Sequence, residues 1–222
     1  MKKFTFIISL FCLHQLNAQP CTPSALSSIE NQYIKAGVGT MGDFYPGLIG
    51  GSLEFPKRTP IEIANGVKAR SPISSGAIWL SSIHNGNVKI SGIRYRSPAG
   101  KAHFFPGPIR LKDGTVHAQS CTLFDKIWIV KKQDIQSHIQ QWSTSPSPLT
   151  TVQSSIKDWP AKGNKQFITV PIEDDLAPFV DVNKNGIYDP EYGDYPKIKG
   201  DEAHFAVMND VSANRSEAIG VE

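Results

Sequence analysis

The stretch GAIWLSSIHNGNVKISGIRYRS, residues 76–97, decides the fold class. Two runs rich in β-branched and aromatic residues flank Asn85-Gly86, a dipeptide that favours the left-handed backbone of a two-residue hairpin turn. In the second run Val88, Ile90 and Gly92 share one face, while Lys89 and Ser91 point to the other. Period-two alternation of this kind predicts a half-buried antiparallel pair.

Outward from this hairpin, other short elements follow the same logic. Residues 19–75 are punctuated by Gly and Pro, with β-prone pieces at Gln32-Tyr33-Ile34-Lys35 and Ile61-Glu62-Ile63. Asp113-Gly114, between Ile109-Arg110-Leu111 and Val116-His117-Ala118, signals a second hairpin, and LFDKIWIV, Leu123 to Val130, reads as a buried strand. Ile135, Ile139 and Trp142 then fall at i, i+4 and i+7, which predicts a short amphipathic helix over Lys132 to Trp142. The run STSPSPLTT is a surface loop, and Val152, Ile156 and Trp159 mark a second short helix stopped by Pro160. No internal repeat of fixed period occurs. The expected fold is mainly β, an antiparallel sandwich-like domain with one or two short helices.

The ends set the compartment. The chain opens MKKFTFIISLFCLHQLNAQP. Lys2 and Lys3 form a positive n-region, Phe4 to Leu13 is an apolar run too short to span a bilayer, and Leu16-Asn17-Ala18 precedes Gln19. This is the layout of a signal peptide, with the mature chain starting at Gln19 and leaving the cytoplasm. Removing 18 of the 222 residues leaves 204 and takes away two lysines and no acid, so 21 basic face 20 acidic residues. No basic stripe remains to favour nucleic acid, and no second long apolar run remains to cross a membrane. Four segments are expected: the signal peptide 1–18, a Gly/Pro-rich segment 19–75 packing on the β domain, a β-rich core with short helices 76–178, and a loop region 179–222 that opens a continuing domain. Cys21 and Cys121 survive cleavage; outside the cytoplasm they either pair as a disulfide or stand as separate buried thiols. With no CxxC, no HExxH and no cysteine–histidine cluster, zinc is not expected.

The densest chemistry lies in DVNKNGIYDPEYGDYP, Asp181 to Pro196. A calcium loop needs hard oxygen ligands on one tight turn, with side chains at positions 1, 3 and 5, a carbonyl at 7, a group at 9 and a sharply turning residue at 6. Those positions are Asp181, Asn183, Asn185, the carbonyl of Ile187, Asp189 and Gly186. Position 12, a bidentate Glu in the helical version of the loop, is Tyr192, and Pro190 prevents an ordinary exiting helix. Glu191 or Asp194 then supplies the last carboxylate of a helix-free calcium loop. Asp201 and the Glu173-Asp174-Asp175 cluster read as surface charge, with a share in a second metal site as the alternative. The competing reading is an Asx-rich turn with solvated charges, which explains the Gly and Asn but not the 1-3-5-9 spacing.

A catalytic reading has less behind it. The acids crowd one loop, whereas an acid pair for glycoside hydrolysis comes from separate strands. No GxSxG motif occurs, and Cys121 has no partner signature. His84, His103, His117, His138 and His204 are scattered and read as surface or hydrogen-bonded residues, and Trp79, Trp128, Trp142 and Trp159 read as core rather than as a sugar platform. No catalytic residue is assigned.

Three stretches together carry a resemblance: residues 76–97 with HFFPGPI; FDKIWIV with IKDWPAKGN; and APFVDVNKNGIYDPEYGDYPKIKGDEAHFAVMND. From about Ile29 onward the chain resembles the N-terminal region of large secreted surface proteins of Bacteroidetes that carry a C-terminal sorting domain for the type IX secretion system. In that family the tryptophan at the position of Trp79 is usually followed by two glycines, where this chain has Ser81-Ser82. The resemblance implies a secreted or outer-surface location and a β-rich architecture, and no particular activity. The sorting domain is not present, and the chain stops at Glu222 on a strand-like run, Ala218-Ile219-Gly220-Val221, so a fragment of a longer protein is expected. The function expected is a calcium-stabilised structural or adhesive β-module without catalysis, whose partners are a surface glycan or another surface protein; the alternative is a glycan-binding or glycan-hydrolysing module.

Overall fold

The computed structural model describes residues 22–45, 53–92, 104–112 and 114–210. The signal-peptide stretch, Cys21, the Asp113 turn position and the run to Glu222 lie outside the described residues.

The described chain is mostly strands in small antiparallel sheets, with few helices. The first half builds one five-stranded sheet from β1 (Leu26–Glu30), β2 (Lys35–Gly39), β3 (Asp43–Phe44), β4 (Leu53–Glu54) and β5 (Gly76–Ala77), in the order β1-β2-β3-β5 with β4 also on β2. Lys35 opens β2, whereas Gln32 to Ile34, expected to be extended throughout, instead includes a turn. There the Asn31 side chain accepts the amides of Tyr33 (2.8 Å) and Ile34 (3.0 Å). The Ile61-Glu62-Ile63 piece is likewise not a strand but lies in helix α1 (Pro60–Ala64). Thr59 and Glu62 close a reciprocal capping box, Pro60 sits at the first turn, and these local signals outweigh two β-branched residues.

The hairpin forms as expected, with β6 (Trp79–His84) against β7 (Asn87–Gly92) in a register from Trp79↔Gly92 to His84↔Asn87 around positive-φ Asn85 and Gly86. Its apolar face is not half-buried. Ile83 is 77% exposed and Trp79 70%, with Val88 and Ile90 also exposed. The Asp113-Gly114 signal yields only a single bridge, Ile109↔Val116, rather than two strands.

The packed core lies in the second half. LFDKIWIV is split: helix α2 (Ser120–Phe124) ends at Asp125 and β9 (Trp128–Lys131) follows. Helix α3 (Lys132–Thr144) fits the predicted span, but its buried positions are Ile135 and His138, while Ile139 faces outward. Helix α4 (Ser154–Lys157) ends shortly before Pro160. With α3 packed beside β9, and β9 paired to β12 (Glu202–Phe205), Phe124, Trp128, Val130, Ile156, Trp159 and Tyr188 join one cluster. The chain between Ala161 and Ala177, which holds no helix or strand, contributes Phe167, Val170 and Ile172 to it. Trp128 donates to the carbonyl of Asp158 (2.7 Å) and Trp159 to that of Pro178 (3.0 Å), so both indole N–H groups are satisfied inside. Two short pairs frame the loop region and the end: β10 (Phe179–Val180) with β11 (Tyr195–Pro196), and β8 (Phe105–Pro106) with β13 (Met208–Asn209).

One carboxylate joins the halves. Asp125 accepts the amide and hydroxyl of Ser24 (3.0 and 2.7 Å), the amide of Ala25 (3.0 Å) and the hydroxyl of Thr40 (2.6 Å). Burial opposes its ionisation, but these donors outweigh burial and hold its pKa below the usual carboxylate range. A depressed folded-state pKa contributes stability that is present above the unfolded value near 4 and is lost as pH falls through the folded value. Asp125→Ala is therefore expected to cost on the order of 2 kcal/mol at neutral pH and to flatten the loss of stability below about pH 4. Urea denaturation of both proteins between pH 2.5 and 7 checks this; parallel pH profiles would contradict it.

Candidate metal loop

The backbone of residues 181–196 is shaped by its own side chains. Asp181 accepts the amides of Asn185 (3.2 Å) and Gly186 (2.8 Å), Asn183 accepts that of Asn185 (3.1 Å), and Asn185 accepts that of Ile187 (2.9 Å). Short polar side chains compete well for neighbouring amides, which is why this run turns rather than extends. Gly186 takes the left-handed conformation (φ 81°), as the tight-turn reading requires, and Lys184 does so too (φ 60°).

The side chains then converge. The amide groups of Asn183 and Asn185 donate to the two oxygens of Asp189 at 2.9 and 2.8 Å. Positions 3, 5 and 9 therefore meet at one point, and Asp181 stands on the same turn. Asp194 lies behind Asp189. Its two oxygens accept the amides of Val182 (2.8 Å) and Asp189 (3.0 Å), which ties the two ends of the loop together. Asp194 is 0% and Asp189 5% exposed. Burial, with the neighbouring Asp189 carboxylate, pushes Asp194 up to about 6 despite the two amides that favour its charged form. Among the described residues no lysine, arginine or histidine pairs with Asp181, Asp189 or Asp194. Nor do three His, Cys, Asp or Glu side chains among them form a metal-binding group.

The loop is bolted to the core partly by two residues the sequence reading did not single out, Tyr188 and Gly193. Tyr188 is buried, donates to the carbonyl of Ile156 (2.6 Å) and meets Phe179 edge-on at 5.4 Å. The Leu149 amide donates to the carbonyl of Glu191 (2.8 Å). Gly193 (φ 99°) is covered by the Trp142 indole, so that an added Cβ would lie 2.7 Å from the ring. An aromatic residue at 188 and a glycine at 193, flanking acids on both sides, were the available signals. Gly193→Ala is expected to destabilise by about 2–3 kcal/mol, because backbone strain and overpacking add. Gly186→Ala, with φ 81° and open space around its Cβ, is expected to cost only about 1 kcal/mol. Equal losses in urea denaturation would show that the Trp142 contact contributes nothing.

The remaining candidates sit elsewhere. Asp201 pairs with Lys132 (3.6 Å) and Asp175 with Lys162 (3.5 Å) at exposed positions, and Asp174 accepts the amide of Leu111 (3.3 Å), as surface charge does. His138 falls on the hydrogen-bonded side of the reading, not the surface side, with a bond to the Asp194 backbone. It is buried on α3, its Nε2 has no hydrogen-bond partner, and desolvation lowers its pKa against the opposing effects of the Asp194 backbone and the Glu191 charge. His204 lies between Glu202 (2.7 Å) and Ser27 (3.1 Å), while His117 accepts the amide of Gln119 (3.2 Å). Trp128 and Trp159 are core, as expected, but Trp79 is exposed. Cys121 is disulfide-bonded. No helix among the described residues is long and apolar enough to cross a membrane. Compared with protein-family models, curated proteins and solved structures, the chain matches none.

Proposed function

We propose that the chain is a secreted or cell-surface structural or adhesive β-module, without catalysis of its own, whose loop 181–194 is stabilised by one calcium ion. The observation that carries this reading is the meeting of Asn183, Asn185 and Asp189 at one point, beside a second buried carboxylate, with no cationic side chain among the described residues to balance them. Two adjacent buried carboxylates repel when both are charged, and a cation of oxygen preference relieves that cost. Asp181, Asn183, Asn185, the Ile187 carbonyl and Asp189 would hold the ion, with Asp194 or Glu191 completing the set. Bound calcium would supply charge neutralisation and order to the loop.

The compartment belongs to the same proposal: the signal-peptide layout of residues 1–18 and the resemblance to secreted Bacteroidetes proteins of the type IX route both support export. A sandwich-like stack of sheets is its proposed architecture, supported by the small antiparallel sheets of the described residues. Its partners would be a surface glycan or another surface protein. A glycan-cleaving module draws less support, because Trp128 and Trp159 are buried in the core and the acids crowd one loop. Limited proteolysis with calcium and with chelator tests the reading: cleavage within 179–201 is expected to accelerate on chelation while the β6–β7 hairpin stays protected. An unchanged pattern would leave the stretch an ordinary Asx-rich turn.

A further inference from the structure

Cys121 is disulfide-bonded, and the chain holds three cysteines, so its partner is Cys12 or Cys21 unless a second chain supplies it. The surroundings of Cys121 narrow the choice. The Asp125 amide donates to the Cys121 carbonyl (3.0 Å), which places the two residues one helical turn apart, roughly 6 Å along the axis. On that same Asp125 the Ser24 and Ala25 amides are fixed, both at 3.0 Å, with the Ser24 hydroxyl at 2.7 Å. The backbone at residue 24 is therefore held one turn from Cys121. Cys21 precedes Ser24 by three residues, a reach of at most roughly 10 Å, and disulfide-linked Cα atoms lie about 4.4–6.8 Å apart. Cys12 is twelve residues away, inside the apolar run 4–13 of the signal-like stretch.

We infer that Cys21 and Cys121 form the disulfide, and that it acts with Asp125 as a two-point anchor holding the first residues of the mature chain and strand β1 to helix α2. Bond formation takes two electrons and two protons from the two thiols and passes them to a disulfide donor, a thiol–disulfide oxidant of the kind found outside the cytoplasm. A loop of about 100 residues is closed, so the unfolded chain is strongly constrained and the fold gains accordingly. The anchor ties the five-stranded sheet, which contributes none of the residues of the main buried cluster, to the half that holds it. This inference is independent of the calcium reading.

The test uses the full chain exported to an oxidising compartment, digested with trypsin without reduction. A species joining the N-terminal peptide ending at Lys35 to peptide 113–126 through Cys21 is expected. Cys21→Ser and Cys121→Ser are each expected to lower Tm by about 10 °C, and the double variant by no more than either single one, whereas Cys12→Ser leaves Tm unchanged. Peptide 113–126 with a free thiol, joined to Cys12 or joined to a second chain would overturn the pairing. So would Tm losses of Cys21→Ser and Cys121→Ser that add.

Discussion

Trp159→Ala is expected to lower the folding free energy by about 3–5 kcal/mol, the range for emptying a large buried aromatic site. Trp159 is 1% exposed, its ring lies 5.1 Å from that of Phe205, and its indole donates to the Pro178 carbonyl. Its own carbonyl accepts the Ala161 amide (2.8 Å) and the Asn164 side chain (2.7 Å), which hold the irregular chain after α4 in place. Removal therefore leaves a cavity at the centre of the cluster and takes one of two donors from the Pro178 carbonyl, which keeps the Lys197 amide (3.0 Å). Against a typical total of 5–15 kcal/mol this is a large fraction. Ile83→Ala, at an exposed hairpin position, is expected to stay within about 0.5 kcal/mol. Denaturant midpoints of the two variants test the contrast; a small loss for Trp159→Ala would mean that the cluster is not what holds the second half together.

The second large effect belongs to the loop. Extracellular calcium modules bind with Kd values of roughly 10⁻⁴–10⁻³ M, so about 10 mM calcium is expected to stabilise the fold by about 1.5–2.7 kcal/mol, a Tm rise of about 3–8 °C. Asp181 and Asp189 variants need careful reading, because both side chains also hold the turn in the absence of an ion. The decisive quantity is the interaction: Asp189→Ala is expected to be less stable than the parent with calcium and to show no further loss on chelation. Glu191→Ala, at a partly exposed position, is expected to keep most of the calcium response. A variant at Asp189 that responds to calcium like the parent would remove that carboxylate from the ligand set.

What could be read in the sequence was what a few adjacent residues determine. Asn85-Gly86 gave the hairpin and its register because the turn requires positive φ at both positions. The Asp181–Asp189 spacing gave the meeting of positions 3, 5 and 9 because local Asx hydrogen bonds shape the turn without help from afar. Helix α3 was legible in extent but only partly in orientation: Ile135 is buried, and tertiary packing buries His138, at i+3 from it, rather than Ile139 at i+4. LFDKIWIV reads as one apolar run, yet Asp125 in its middle gathers donors from residues 24–40 and ends α2 there. The buried positions of residues 161–177 were illegible for a related reason. With no helix or strand they have no period, and their burial is set by Trp159 from outside the run and by Asn164, within it, bonded to the Trp159 carbonyl.

Titration calorimetry of the chelator-stripped full chain with calcium at neutral pH is the most direct measurement of the central claim. Saturable binding at one site per chain, lost in both Asp181→Ala and Asp189→Ala and kept in Asp201→Ala, is the expected result. Absence of binding up to about 10 mM calcium, well above the weak end of the range for extracellular modules, would contradict it, as would binding unchanged in both loop variants.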